Sequence, residues 1–359
     1  MADFKKRMAK YNGTDWDFHD ITDRSEFNAG NKSYSATTTT FGSLGTAPYK
    51  CWGGVLAPNG CIYCIPLNWP MVIKINPSTD SATTFGSFNG TNKWVGGVLA
   101  PNGCIYGIPY GSSTVLKIDP STDTASTFGS LDSTLKCIGG VLAPNGCIYG
   151  IPMNASYILK IDPSTDTVTT FGSLRSTTYK WWGGVLALNG CIYGIPYSST
   201  SILKIDPSTD SVTTFGSLSG TYKWAGGVLA PNGCIYGIPR NSATVLKINP
   251  STDSATTFGS LGSTTYKWHG GVLAPNGCIY GIPRSSSKVL KIDPSTDTGS
   301  TFGSLGTATH KWNGGVLAPN GCIYGVPCSS STVLKISPSV SLNTPFGEST
   351  TLSPYLNKF

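Results

Sequence analysis

The chain is short of charge. Asp, Glu, Lys and Arg make up 12% of its 359 residues, and glutamate occurs only at Glu26 and Glu348. Histidine is as scarce, at His19, His269 and His310. General acid and base catalysis draws heavily on these residue types, so no catalytic residue is assigned. No glycine loop ending in Lys-Ser or Lys-Thr is present to cradle a phosphate, and no cluster has the spacing of a metal site, so neither cofactor nor metal is expected. Long apolar runs are missing too, and nothing approaches the roughly 20 residues of a membrane span. The opening MADFKKRMAKYNGTDWD is charged and lacks the apolar core of a secretory signal, which predicts a cytoplasmic protein. A net charge of +7 is modest and no basic run occurs, which counts against nucleic acid as the partner.

Cysteine is plentiful, but its eleven positions do not make a disulfide framework. Cys61, Cys104, Cys147, Cys191, Cys234, Cys278 and Cys322 are one position of a repeat seen seven times. Equivalent positions of successive units stand too far apart to be bridged, so they read as small buried hydrophobes. Cys61 and Cys64 spell C-x-x-C within a strand, where residues three apart point to opposite faces. Cys51 and Cys328 are the one pair that ring closure would bring onto adjoining blades.

What the chain has in abundance is glycine, serine, threonine and proline in a regular cadence. The pair Gly-Gly begins at Gly53, Gly96, Gly139, Gly183, Gly226, Gly270 and Gly314, a period of 43 or 44 residues. Each unit reads as four short β-rich runs separated by turns: strand A (GGVLA), strand B (CIYGIP), strand C (VLKID) and strand D (TTFGS). Asn-Gly between A and B predicts a tight hairpin with both central residues at positive φ. Asp-Pro-Ser-Thr-Asp between C and D predicts a turn in which proline presets φ.

Four antiparallel strands per unit of this length predict an all-β, seven-bladed β-propeller. The ends of the chain distinguish a closed ring from an open stack. Residues 35–45, SATTTTFGSLG, form a stray strand D with no A, B or C before it. In a closed ring that strand supplies the missing fourth strand of blade 7. A competing strand D at SLNTPFG contains Pro345, which lacks the N–H that a paired strand uses. The expected organisation is an irregular leader over 1–34, a propeller over 35–338 with its N-terminal strand in blade 7, and a tail over 339–359.

The unit APNGCIYGIP followed by VLKIDPSTDT resembles the kelch type of propeller repeat. It departs from that type in having Gly-Ile-Pro, as at Gly107 to Pro109, where a glycine pair follows the IY strand. It also has Thr-Phe, as at Thr127 and Phe128, where a tryptophan is usual. In cadence it is similar to streptogramin-lyase-type propellers. These resemblances imply seven blades and a general role in recognition; they transfer no substrate.

In a propeller the D-to-A and B-to-C links share one face, and the A-to-B and C-to-D turns share the other. A lysine precedes strand A in every unit: Lys50, Lys93, Lys136, Lys180, Lys223, Lys267 and Lys311. With Arg240 and Arg284 in B-to-C links, these predict a basic face, opposite a face carrying Asp119, Asp123, Asp162, Asp166, Asp206 and Asp210. Beside the lysines stand Trp94, Trp181, Trp224, Trp268 and Trp312. Either the tryptophan plugs the seam between blades or it offers an aromatic platform to a ligand. A second lysine, as at Lys117 and Lys160, lies inside strand C and reads as paired between blades.

The departures from the repeat carry the information about specificity. The residue after the tryptophan varies as Trp52, Val95, Ile138, Trp182, Ala225, His269 and Asn313. The residue after strand B varies as Leu67, Tyr110, Met153, Tyr197, Arg240, Arg284 and Cys328. Both positions map to the D-to-A face. The leading reading is a non-catalytic propeller that binds a protein or an assembly through this face, with an acidic partner favoured by its lysines. Seven similar Trp/Lys/Tyr clefts would instead make a multivalent lectin for glycans. A lyase-type enzyme at the central channel would use His269 and His310.

Overall fold

The computed structural model describes residues 7–11, 16–20, 36–132 and 137–338. Within the leader expected to be irregular, Arg7–Tyr11 and Trp16–Asp20 pair as an antiparallel hairpin. The tail with Pro345, and Lys136, lie outside the described residues.

Residues 36–338 form seven four-stranded antiparallel sheets. Blade 1 runs through Cys51–Leu56 (A), Ile62–Pro66 (B), Val72–Asn76 (C) and Ser81–Phe85 (D). The later A strands are Trp94–Leu99, Cys137–Leu142, Trp181–Leu186, Trp224–Leu229, Trp268–Leu273 and Trp312–Leu317. Burial falls outward along each blade. Every residue of strand B is buried, whereas strand D alternates and faces solvent along its outer edge. Blade 7 has A, B and C from the end of the chain and takes its D strand from Thr37–Phe41, paired antiparallel with Val333–Ser337. The N-terminal strand therefore closes the ring.

The Gly-Gly pair explains how seven A strands crowd around one axis. The first glycine of the pair has positive φ, and a Cβ on Gly53 would stand 3.0 Å from the Cα of Gly96 in the next blade. Only glycine fits both the conformation and the approach. The second glycine receives the isoleucine of the preceding blade: a Cβ on Gly97 would meet Ile65 Cδ1 at 2.6 Å.

The Asn-Gly turn differs from the expected one. Only the glycine takes positive φ, as at Gly60, while Ala57 N–H donates to the Cys61 carbonyl and Gly60 N–H to the Ala57 carbonyl. This is a three-residue hairpin built on a Pro-led turn with a left-handed glycine. The asparagine contributes its side chain instead. Asn59 Oδ1 accepts from Cys61 N–H, and its amide donates to Tyr63 Oη and to the Pro120 carbonyl of the next blade.

That tyrosine anchors a clasp repeated around the ring. Tyr149 Oη donates to Asp210 Oδ1 at 2.7 Å, and Lys160 Nζ of the same blade donates to Asp210 Oδ2 at 2.6 Å. The strand C lysines are thus paired with the next blade's C-to-D turn, in six ion pairs among the described residues. Lys335 and Tyr324 reach Asp80 in the same way, so blade 7 is clasped to blade 1.

The Lys335 ammonium holds the Asp80 carboxyl below its ordinary value, against desolvation and with help from Tyr324. A carboxylate held low in the folded chain adds stability above its unfolded value of 3.8 and loses it as pH falls through the lower folded value. Asp80→Asn, which keeps a residue tolerant of positive φ, is expected to lower stability by about 1 kcal/mol at pH 7. Thermal denaturation of both proteins should show that gap closing as pH falls below 3.8 and through the lowered folded value, where wild-type Asp80 also loses its charge.

Candidate functional site

The lysine and tryptophan common to the units lie inside the seams, and the described lysines do not form the expected charged face. Lys50, Lys93, Lys180, Lys223, Lys267 and Lys311 are buried. Lys267 Nζ donates to the carbonyls of Ser242, Gly262 and Thr264 at 2.8, 3.0 and 3.0 Å, three acceptors for three N–H groups. Burial pushes its pKa down to about 8. Its main chain stitches the links together, with Lys267 N–H on the Arg240 carbonyl and Arg284 N–H on the Lys267 carbonyl. Trp94, Trp181, Trp224, Trp268 and Trp312 are buried in the hydrophobic clusters between adjoining blades. Each indole N–H donates to a main-chain carbonyl, as from Trp224 to Thr244 at 2.8 Å. The seam reading of the tryptophan is the one its geometry matches, and the described Trp and Lys side chains of these pairs form no open clefts.

The variable residues do converge. Each A strand carries a bulge between its first residue and the second glycine, as between Trp224 and Gly227. The bulge adds a residue on one strand only and re-aims the side chain that follows the tryptophan. Trp52, Val95, Ile138, Trp182, His269 and Asn313 thereby line one cavity of about 30 Å³ at the axis. Trp52, Trp182 and His269, from blades 1, 4 and 6, meet across the channel with ring centroids 5.2 to 5.6 Å apart. Leu67, Met153, Tyr197 and Ala225 complete an apolar layer with Tyr110 against it.

Blades 5 to 7 contribute a different chemistry. Arg240 and Arg284 are each 4% exposed, and neither forms an ion pair with any described residue. Their compensation is aromatic: Arg240 Cζ lies 3.9 Å from the Tyr266 ring centroid and 5.0 Å from that of Tyr197, and Arg284 Cζ lies 4.9 Å from that of Trp52. Cation–π contacts of this kind offset part of the desolvation. Nε and Nη1 of both arginines are buried without a hydrogen-bond partner, as are His269 Nε2 and both amide atoms of Asn313. Burial first, then Arg284 and Arg240, push His269 well below its ordinary value, so its ring is neutral at pH 7. The same causes bring His310 down to about 4.

Above these layers stands a rim. The residue before each described lysine of this set takes positive φ: Tyr49, Asn92, Tyr179, Tyr222, Tyr266 and His310. For an aromatic residue this conformation is strained by about 1–2 kcal/mol, and it persists only where the surroundings fix it. A side chain from the preceding blade does so here: Asn154 Oδ1 accepts from Tyr179 N–H and Ser198 Oγ from Tyr222 N–H. The outcome is that Tyr179, Tyr222 and Tyr266 remain 41%, 37% and 39% exposed, unusual for large hydrophobic side chains in this molecule.

Of the expected site residues, Tyr110, Trp182, Tyr197, Arg240, His269, Arg284 and Asn313 are brought together around the channel mouth. The Lys/Trp pairs at 93/94, 180/181, 223/224, 267/268 and 311/312 are distributed among the seams. The rim tyrosines join the site, their signal in the sequence being a tyrosine just before the lysine at Tyr49, Tyr179, Tyr222 and Tyr266, and Trp52 joins it from the variable position that follows Cys51. Cys51 and Cys328 remain free thiols. No group of three His, Cys, Asp or Glu side chains suited to a metal occurs among the described residues.

The comparisons agree on the architecture. A family model described as a repeat of unknown function, DUF6923, matches residues 184–352. No curated protein matches the chain. A streptogramin B lyase structure superposes with a TM-score of 0.73 at 13% identity, over 84% of this chain and 97% of that one. Virginiamycin B lyase from Staphylococcus aureus superposes equally well, at 12% identity over 84% and 99%. The extracellular domain of a putative hybrid two-component system from B. thetaiotaomicron gives 0.64 at 13% identity, over 88% of this chain and 44% of that one. At such identities the likeness is one of fold. No helix among the described residues is long and apolar enough to cross a membrane.

Proposed function

We propose that this chain is a non-catalytic recognition propeller that engages a protein or glycan partner at the mouth of its central channel. The observation that carries the reading is the rim: three tyrosines held in a strained conformation and left exposed, around buried arginines that no described carboxylate neutralises. Strain maintained by several hydrogen bonds at an exposed concave site is a mark of binding surfaces. Tyrosine also offers a large contact area at low entropic cost. The partner contact is one asymmetric site at the axis, in place of seven equivalent clefts.

A lyase-type reading keeps two supports. His269 lies in the channel as a neutral imidazole, and one of the structural neighbours is a catalytically inactive variant of virginiamycin B lyase with quinupristin. Against it, no described carboxylate accompanies the histidine.

The test uses Tyr179→Asn with Tyr222→Asn, because Asn92 occupies the same position of its unit with the same backbone conformation. Capture of partners from the source lysate on the immobilised chain is expected to fall by about tenfold in the variant, with melting temperature nearly unchanged. Free sugar and raised salt in parallel arms separate a glycan from an acidic protein. Equal capture by variant and wild type would overturn the reading.

A further inference from the structure

We infer that the paired arginines and the cavity beside them form a carboxylate-binding site, so that the partner presents a carboxylate to the mouth of the channel. The inference deepens the recognition reading above and rests on it only for the identity of the partner.

Four unsatisfied side chains surround this point, from three successive blades. Arg240 belongs to blade 5, Arg284 and His269 to blade 6, and Asn313 to blade 7. All four are more than nine-tenths buried, and each has polar atoms with no hydrogen-bond partner. Buried polar groups in folded proteins are nearly always satisfied, so such a cluster calls for a ligand. His269 and Asn313 line the cavity itself.

The sign of the missing group follows from charge. The two guanidinium groups share the Tyr266 ring, with Arg240 Cζ 3.9 Å and Arg284 Cζ 5.6 Å from its centroid; burial and then Arg240 push Arg284 down, and the field of both reaches His269 and His310. The described aspartates of the clasps stand in C-to-D turns, at the other end of the strands. An anion is therefore what the site lacks.

Size and shape select among anions. The cavity, which His269 and Asn313 line and the arginines adjoin, has about 30 Å³, room for roughly two water-sized groups and so for the two oxygens of a carboxylate. A guanidinium meets an anion through charged N–H donors, and on each arginine Nε and Nη1 lack a partner, one on either edge of the group. The adjoining apolar layer of Ile138, Met153, Trp182 and Tyr197 would receive the uncharged part next to that carboxylate.

The experiment titrates sodium acetate into the full chain at ionic strength matched with sodium chloride, followed by thermal denaturation and by the arginine Nε–H resonances in NMR. Acetate is expected to raise the melting temperature beyond the chloride control and to shift two arginine signals. Arg284→Gln should weaken acetate binding by about tenfold or more. It should also melt no lower than wild type without ligand, because it removes an unneutralised buried charge. If that variant does not fold, the resonance shifts in the unaltered protein decide the matter.

A peptide with a free C-terminus against its amide, and glucuronate against glucose, distinguish the two sources of the carboxylate; binding of either acid form supports the site. Acetate indistinguishable from chloride, or phosphate bound more tightly than acetate, would overturn it. Failure here with the tyrosine variant still impaired removes the carboxylate and leaves the recognition face standing. The converse pattern removes the face and leaves the anion site.

Discussion

Replacing Thr38 and Thr39 together by proline is expected to open the ring. These residues pair with Ile336 and Lys335 in the strand that completes blade 7. Alternate residues of an outer strand direct their N–H inward, so two consecutive prolines remove at least one ladder bond whichever parity applies. The restricted φ then spoils the flanking pairs. Loss of two or three hydrogen bonds at about 1 kcal/mol each, and of the edge-on contact between Phe41 and Tyr324, amounts to about 3–5 kcal/mol. For a chain of this size that corresponds to a fall of roughly 5–10 °C in melting temperature. The bared edge of Val333–Ser337 would seek another strand, and size-exclusion chromatography should show dimers or larger species. An unchanged, monomeric variant would mean that another segment fills the outer position of blade 7.

Trp224→Ala should have a comparable effect for a different reason. The indole is buried among Val185, Ile195, Ile202, Leu229, Ile235 and Leu246, between blades 4 and 5. Truncating a buried tryptophan costs about 3–5 kcal/mol through lost burial and the cavity left behind. The Thr244 carbonyl loses its donor as well, and Lys223 loses the ring that its ammonium faces at 5.8 Å. Urea denaturation should place the variant's midpoint well below that of wild type. A midpoint within error of wild type would contradict the seam assignment.

Much of this molecule was legible because the repeat states it seven times. Apolar alternation, the Gly-Gly pair and the regular turn residues specified four strands per blade, and the orphan strand before Gly53 specified closure. Turn chemistry was legible in kind but not in detail. Asn59 works through its side chain, bridging to Pro120 in the next blade, and no local rule for the Asn-Gly dipeptide contains a neighbour 61 residues away.

Charge was the least legible feature. A lysine next to a link reads as exposed, yet Lys223 turns inward because the carbonyls of Ser199 and Gly220 converge on its ammonium. That geometry exists only once two blades are assembled. The candidate site was half legible. Variation at Trp52, His269 and Asn313 marked the right face, but the bulge that turns these side chains to the axis is a property of the folded strand. Left-handed tyrosines were hidden for the same reason, since Asn154 and Ser198 hold Tyr179 and Tyr222 from adjoining blades.

The central claim is that residues shared by all blades hold the ring while residues that break the repeat make the contact. Partner capture per folded molecule tests it most directly, comparing Trp224→Ala with the Tyr179→Asn, Tyr222→Asn variant below both melting temperatures. The result predicted is capture equal to wild type for the destabilised tryptophan variant and about tenfold less for the stable tyrosine variant. Lost capture in the tryptophan variant with full capture in the tyrosine variant would contradict it.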